Sequence, residues 1–522
     1  MDALFPTLGI DISRGASEAL KIYLIVAAAG LVVGARALPP RWLQRGLAAL
    51  CLLATLNYAR FGPKVPLERV DTYDLLHYYV NARYFDELGY YDLYPALILA
   101  DHEQGGPHFA EGPQYLAQNS AGHGFMPIAH ALSRGAEVKA AKFSPERWAA
   151  FTHDALTLQR EMEGLNDKLW REMIQDHGFN GTPVWTTLAR PLARLVPVEH
   201  IKWLCQIDLL LLIAATVAVG RSFGATTGLW AWLFLMLSYS GRWPTITWAF
   251  LRYDYVAALM FAMAALRRGR HTLAGALVGW AATLRFFPAL WMWGPLWKGL
   301  MGLRSGVVHK RLLALAAGAA LSVGLLQGAA TLAVGPAAVA AHFENMLDHN
   351  RAAQLSSRRI GLALALPFRG EQLPKFIEPE RKALIEAQKP LRYGLAALAM
   401  LGMGLGMRRR DDDEALGLGF LPFFLLTTAS YYYYISRVTL VIVHGARLRE
   451  PRHQVSLLLL LATELFANGA ELLLPGHRVF HIGGQAWLLC AYTLWTVGAL
   501  LWAAWGERHS PPEASKKAST TP

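Results

Sequence analysis

Long apolar blocks alternate with short polar links along most of the chain, and two polar stretches, residues 61–199 and 335–390, are far longer than the other links. A helix needs about 20 mostly apolar residues to cross a bilayer. Candidate spans on that ruler fall at residues 20–37, 44–60, 200–219, 226–240, 251–266, 272–297, 312–334, 391–407, 414–430, 435–446, 454–474 and 484–505. The block 272–297 is long for one helix and is interrupted by Arg285 and Pro288, so it is expected to form a hairpin of two half-length helices. The predicted fold class is an all-α polytopic membrane protein, with about thirteen transmembrane helices once the hairpin is counted twice.

Lys and Arg set the orientation, because positive charge gathers in cytoplasmic links. Arg36, Arg41 and Arg45; Arg267, Arg268 and Arg270; Lys298, Arg304, Lys310 and Arg311; Arg408 to Arg410; and Arg447, Arg449 and Arg452 are all cytoplasmic in one topology with an outside N-terminus. That topology gives N-terminal helices over 1–60, a large extracytoplasmic loop over 61–199, and a membrane core over 200–334 that includes the hairpin at 272–297. A second extracytoplasmic loop over 335–390, C-terminal helices over 391–505 and a disordered cytoplasmic tail over 506–522 follow. Function is sought on the outer side.

The first loop carries its own helix signals. Ser144, Pro145 and Glu146 read as a helix start, followed by Trp148, Phe151, Leu156, Leu158, Met162, Leu165 and Leu169 at near-helical spacing. Gly178, Asn180, Gly181 and Pro183 break that pattern, and Trp185, Leu188, Leu192 and Leu195 are expected to return to the interface.

Composition fits this layout: 54% of the 522 residues are hydrophobic and 17% charged, against about 25% charge in a soluble domain. The net charge of +12 sits in short links rather than along one polar face, which argues for topology and against nucleic acid as a partner. Cys51, Cys205 and Cys490 lie in apolar stretches with no metal or disulfide spacing. The first apolar run lacks a basic lead and a small-residue cleavage site, and is read as a retained span. An Ala/Arg-rich composition suggests a bacterial cytoplasmic membrane, with membrane lipids as partners.

Candidate chemistry is densest just after the second span, where the chain reads VDTYDLLHYYVNARYFDELGYYDLYPA. On a regular helix Asp74, His77, Tyr78 and Asn81 share a face; equally, Asp71 or Asp74 caps the helix and the tyrosines anchor it. Arg285 lies in an apolar run, at a cost of about 2.5–3.5 kcal/mol if it sat at mid-span. It reads either as an anion clamp or as a snorkelling or ion-paired side chain, with Asp208 or Asp254 as partner. Arg252 and Asp254 open the fifth span at similar depth, and His349, Arg358 and Arg359 mark the second outer loop. Tyr431 to Tyr434 with Arg437 read as an aromatic belt or a sugar-stacking surface. Glu464 and Asn468 keep a transporter or lipid flippase in play, because charge deep in a span marks a path. No tight acidic cluster asks for a divalent metal.

A span leading directly into a large outer loop that opens with Asp71 and Asp74, together with the RFFP tip at Arg285 to Pro288, resembles the GT-C superfamily of membrane glycosyltransferases. It is closest in pattern to the polyprenol-phosphate-mannose-dependent mannosyltransferase branch. There a basic residue, usually lysine, precedes an aromatic or apolar residue and proline; here it is Arg285. The acidic pair is spaced DxxD rather than the tighter pattern of some branches. The resemblance implies an inverting transfer of a sugar, such as mannose, from a polyprenyl-phosphate donor to a hydroxyl on a glycan, lipid or protein acceptor, with no cofactor. Asp74 or Asp71 would be the catalytic base, Asp74 being favoured. His77, Tyr78, Arg252, Asp254, Arg285, His349, Arg358 and Arg359 would bind substrate. A lipid-linked glycan polymerase or ligase shares this outer-face chemistry.

Overall fold

The computed structural model describes residues 13–62, 67, 70–106, 114–119, 122–163, 173–175, 178–241, 245–351, 358–370, 379–474 and 478–509. Nearly all of the regular structure is helical; the described strands form a hairpin of Gln114–Asn119 with Gly122–Pro127 and a two-residue pairing of Arg359–Ile360 with Ala429–Ser430. Among the described residues five helical stretches are long and apolar enough to cross a membrane: Gly15–Gly34, Val198–Phe223, Lys310–Val334, Pro451–Leu473 and Ile482–Gly506.

Five is not the expected thirteen, and helix length explains most of the difference; Pro40–Tyr58 and Lys389–Met407, at 19 residues each, are long enough but not apolar enough to be among the five. The apolar blocks at 226–240, 251–266 and 435–446 form helices of only 13, 14 and 8 residues, Ala225–Leu237, Asp254–Arg267 and Val438–Gly445. The block at 414–430 splits into Asp412–Gly417 and Phe420–Leu426. At about 1.5 Å per residue even the 14-residue helix is short of a hydrocarbon core roughly 30 Å thick. Apolar composition marks these blocks as buried, but it does not reveal that each helix stops early.

The segment 271–304 runs as a helix, His271–Leu284, a 3₁₀ stretch, Phe287–Met292, and a return helix, Trp293–Arg304. The first of these packs closely on Lys310–Val334 through small residues. Side-chain carbons on Gly275 or Gly318 would collide with the backbone carbonyls of Leu315 and Thr272, and one on Gly279 with that of Ala319. Such close backbone approach is the usual use of glycine between apolar helices.

The described part of the first long polar stretch, residues 61–199, is folded. Ser144 accepts from the Arg147 N–H and starts Pro145–Glu163, as its sequence signal predicts; Leu165 and Leu169 lie outside the described residues. Four of the loop's acidic residues are engaged in its own packing. Asp154 meets Arg83 (2.9 Å) and the Tyr84 hydroxyl, Glu87 meets Arg147, Asp92 meets Arg134 and Lys142, and Glu103 meets Lys139 and the Trp148 indole. The helix Pro336–Arg351 of the second loop leans on the first: Tyr91 donates to the Ala341 carbonyl and Asn345 to that of Phe179. Trp185, expected at the interface, is buried instead, with its indole N–H on the Leu251 carbonyl at 2.9 Å.

Candidate functional site

Between the short helices Thr245–Trp248 and Asp254–Arg267 the chain turns through Leu251, which adopts φ +48°. A non-glycine residue in that region costs about 1–3 kcal/mol and persists only where its surroundings hold it. They do. Trp185 holds the Leu251 carbonyl, and Asp208, in the first turn of Ile207–Phe223, accepts the Arg252 backbone N–H at 2.7 Å. The Asp71 N–H donates to the Trp248 carbonyl at 2.9 Å.

This turn aims Arg252 at the start of the first long polar stretch. Its guanidinium lies 3.2 Å from Asp74 Oδ1 and 3.5 Å from Asp71 Oδ2, and stacks over the Tyr432 ring at 4.3 Å. Asp71 caps the helix Thr72–Leu75, accepting the Asp74 N–H at 3.2 Å. Asp74 is buried, and its Oδ2 has no hydrogen-bond partner. Burial pushes its carboxyl up to about 6; Arg252 opposes that shift, Asp71 adds to it, and Arg285 opposes it again.

Arg285 ends the first hairpin helix in extended backbone. It is half-buried, donates to the Leu284 carbonyl at 2.8 Å and leaves Nε without a partner. Asp74, Tyr78, Asp254, Tyr255 and Tyr433 all lie within its electrostatic reach. The next two residues fix the tip: Phe287 packs on Phe423, Tyr433 and Tyr255, while Phe286 is exposed and stacks on His342. His342 is fully buried with both ring nitrogens unpartnered, and burial lowers its pKa to about 4, so it stays neutral at neutral pH.

The predicted residues therefore separate. Asp71, Asp74, Arg252 and Arg285 come together with Tyr78, Asp254 and Tyr432. His77 does not share this face: its ring nitrogens reach the Tyr73 carbonyl and the Tyr94 hydroxyl, each at 2.7 Å. Residues Leu76–Val80 wind as a π-helix, so the regular spacing that aligned Asp74 with His77 does not hold there. Tyr78 donates to Asn180 Oδ1 at 2.5 Å, a partner that the sequence marked only as a helix breaker. Arg358 is exposed, with its carbonyl accepting from Tyr431, and Arg359 donates to the Thr428 carbonyl at 3.4 Å. His349 lies on the helix Pro336–Arg351, but its side chain is outside the described residues.

Glu464, the strongest sign of a transport path, is engaged elsewhere. Its carboxylate meets Arg437 at 2.9 Å and the Tyr239 N–H at 2.7 Å, and both side chains are buried. Tyr434 is likewise internal, donating to the Ile360 carbonyl, so the tyrosine run is part core and part site wall. Among the described residues no group of three or more His, Cys, Asp or Glu is arranged to hold a metal ion. No protein-family model matches the chain, no curated protein matches it and no solved structure matches it.

Proposed function

We propose that the chain is an inverting glycosyltransferase of the outer face of a bacterial cytoplasmic membrane, moving a sugar from a polyprenyl-phosphate donor to an acceptor hydroxyl. The observation that carries this reading is Asp74, a buried carboxylate with one oxygen held by Arg252 and the other unpartnered, beside a second arginine whose Nε is free. An Asp with its pKa raised towards neutrality is a competent base that is still ionised at pH 7.

In the step, Asp74 Oδ2 takes the proton of the acceptor hydroxyl as that oxygen bonds to the anomeric carbon. The bond from the anomeric carbon to phosphate breaks, and its electron pair leaves with the polyprenyl phosphate. A phosphate needs no protonation to depart, so one carboxylate suffices; Arg285 and Arg252 offset the negative charge that develops on it. Tyr78 and Tyr432 provide aromatic surface for a sugar. The pairing of Glu464 with Arg437 gives one of the two residues behind the transporter alternative a structural role.

The test is transfer of label from polyprenyl-phosphate sugars by the purified protein in lipid, with mannose as the first donor. Asp74→Asn is expected to lower transfer by about 10²- to 10⁴-fold while the protein remains folded. Undiminished transfer in that variant would remove Asp74 from the mechanism. Transfer only from donors bearing long glycans would move the assignment to a polymerase or ligase.

A further inference from the structure

We infer that Asp208 is a positioning residue: by accepting the Arg252 N–H it holds the Leu251 turn in its left-handed conformation and so keeps the Arg252 guanidinium on Asp74. The effect on transfer rests on the function proposed above; the geometric claim does not.

Asp208 occupies the first turn of Ile207–Phe223, where a carboxylate ordinarily stabilises its own helix dipole. Its contacts point away from that role. Oδ2 reaches across to the Arg252 N–H at 2.7 Å, while Oδ1 is buried without a partner, and the residue is 1% exposed. Burying a carboxyl group is costly, and the backbone N–H groups of Arg252 and Tyr253 hold this one in place. The bond falls one residue after Leu251, at φ +48°, and the Trp185 indole N–H holds the Leu251 carbonyl from the opposite direction. Beyond the turn, the guanidinium stands 3.2 Å from Asp74. Two grips, one on each end of the Leu251–Arg252 peptide unit, thus set the direction of one side chain.

Charge repulsion and the clamp predict different shifts in the Asp74 titration. The groups in electrostatic reach of Asp74 are Asp71, Arg252, Arg285, Asp208, Tyr78 and Cys205. Deleting Asp208 through loss of its charge alone moves the Asp74 midpoint to lower pH or leaves it in place. Releasing Arg252 removes a favourable partner and moves the midpoint to higher pH.

The experiment is an infrared titration of the Asp74 carboxyl in detergent-solubilised full-length protein, with the band assigned by its loss in Asp74→Asn. It needs no substrate. Asp208→Ala, which deletes the acceptor, is expected to raise the midpoint by about one pH unit, a tenfold change in ionised fraction on the acid side. Asp208→Asn, which keeps an acceptor oxygen, is expected to leave the midpoint in place or lower it. Trp185→Phe removes the second grip and is expected to raise it, which keeps the idea testable if Asp208→Ala does not fold. No rise in Asp208→Ala, equal shifts in both Asp208 variants, or no rise in Trp185→Phe overturns the clamp. A rise without any sugar transfer in the wild type keeps the clamp and discards the transferase.

Discussion

Lys298 Nζ lies 2.6 Å from Asp412 Oδ1, and the other oxygen of the same carboxylate is 3.5 Å from His271 Nε2. His271 begins the first hairpin helix and Lys298 lies in the return helix, so the chain from 271 to 298 leaves one end of the molecule and comes back to it. Fourteen helical residues rise about 21 Å, which puts Arg285 well away from Asp412 and level with Arg252. The run Asp411 to Glu414 thereby anchors the links of the helical core. Arg311 meets Asp412, Arg267 meets Asp413, Arg447 meets Asp411 and Asp413, and Arg452 meets Glu414.

Asp412→Ala is expected to destabilise the protein by about 3–5 kcal/mol, because it strands the nearly buried Lys298 ammonium. Arg311→Ala removes an exposed partner of the same carboxylate and is expected to cost under about 1 kcal/mol. Thermal unfolding in one detergent ranks the two. Equal losses would mean that Asp412 acts as a surface charge and does not close the hairpin.

Gly275→Val is expected to prevent the hairpin from seating on Lys310–Val334, because even a single side-chain carbon at that position meets the Leu315 carbonyl. Gly324, on the same long helix, has open space around it. Gly324→Ala is therefore expected to be neutral or slightly stabilising, since alanine favours a helix by up to about 1 kcal/mol over glycine. Yield of monodisperse protein and melting temperature distinguish the pair.

The acid limb of kcat/KM should fall at about pH 6, where Asp74 gains a proton and ceases to be a base. The sign for Arg252 follows from its charge. The guanidinium favours the ionised carboxylate, so Arg252→Gln is expected to move the limb to higher pH, with the largest loss of transfer on the acid side. A limb that stays in place, or moves to lower pH, would detach Arg252 from the titration of Asp74.

Much of this site was legible because position and residue type suffice to flag a charge in an apolar setting. Arg285 stands out in that way, with Asp208 or Asp254 as its alternative partners and Arg252 at similar depth, and Asp71 reads as one of two alternative caps. What pattern does not carry is local winding and long-range partnership. A π-helical turn at Leu76–Val80 separates His77 from Asp74, yet no residue in LHYYV marks it. The left-handed Leu251 sits where sequence habit would ask for glycine. Helix ends were equally hidden, since 226–240 and 251–266 are apolar enough to span and are instead short buried helices. The pairing of Glu464 with Arg437 joins residues 27 positions apart in sequence, each of which had its own separate reading.

Asp71 and Asp74 both touch Arg252, and substitution separates their roles because they are bonded differently. Asp71 uses Oδ1 as the cap of Thr72–Leu75, a task that asparagine performs about as well, whereas loss of a cap to alanine costs about 1 kcal/mol. Asp71→Asn is therefore expected to retain most of the transfer activity, and Asp71→Ala to lose part of it as the turn carrying Asp74 loosens. Asp74→Asn keeps the shape of the side chain and cannot accept the acceptor's proton, so its loss should appear in kcat with little change in KM for the donor. The three variants, measured at pH 7 on the same donor, give an order: wild type close to Asp71→Asn, then Asp71→Ala, then Asp74→Asn. If Asp71→Asn were the inactive one and Asp74→Asn the tolerated one, the base would be the half-exposed carboxylate, and the burial of Asp74 would serve only to hold Arg252.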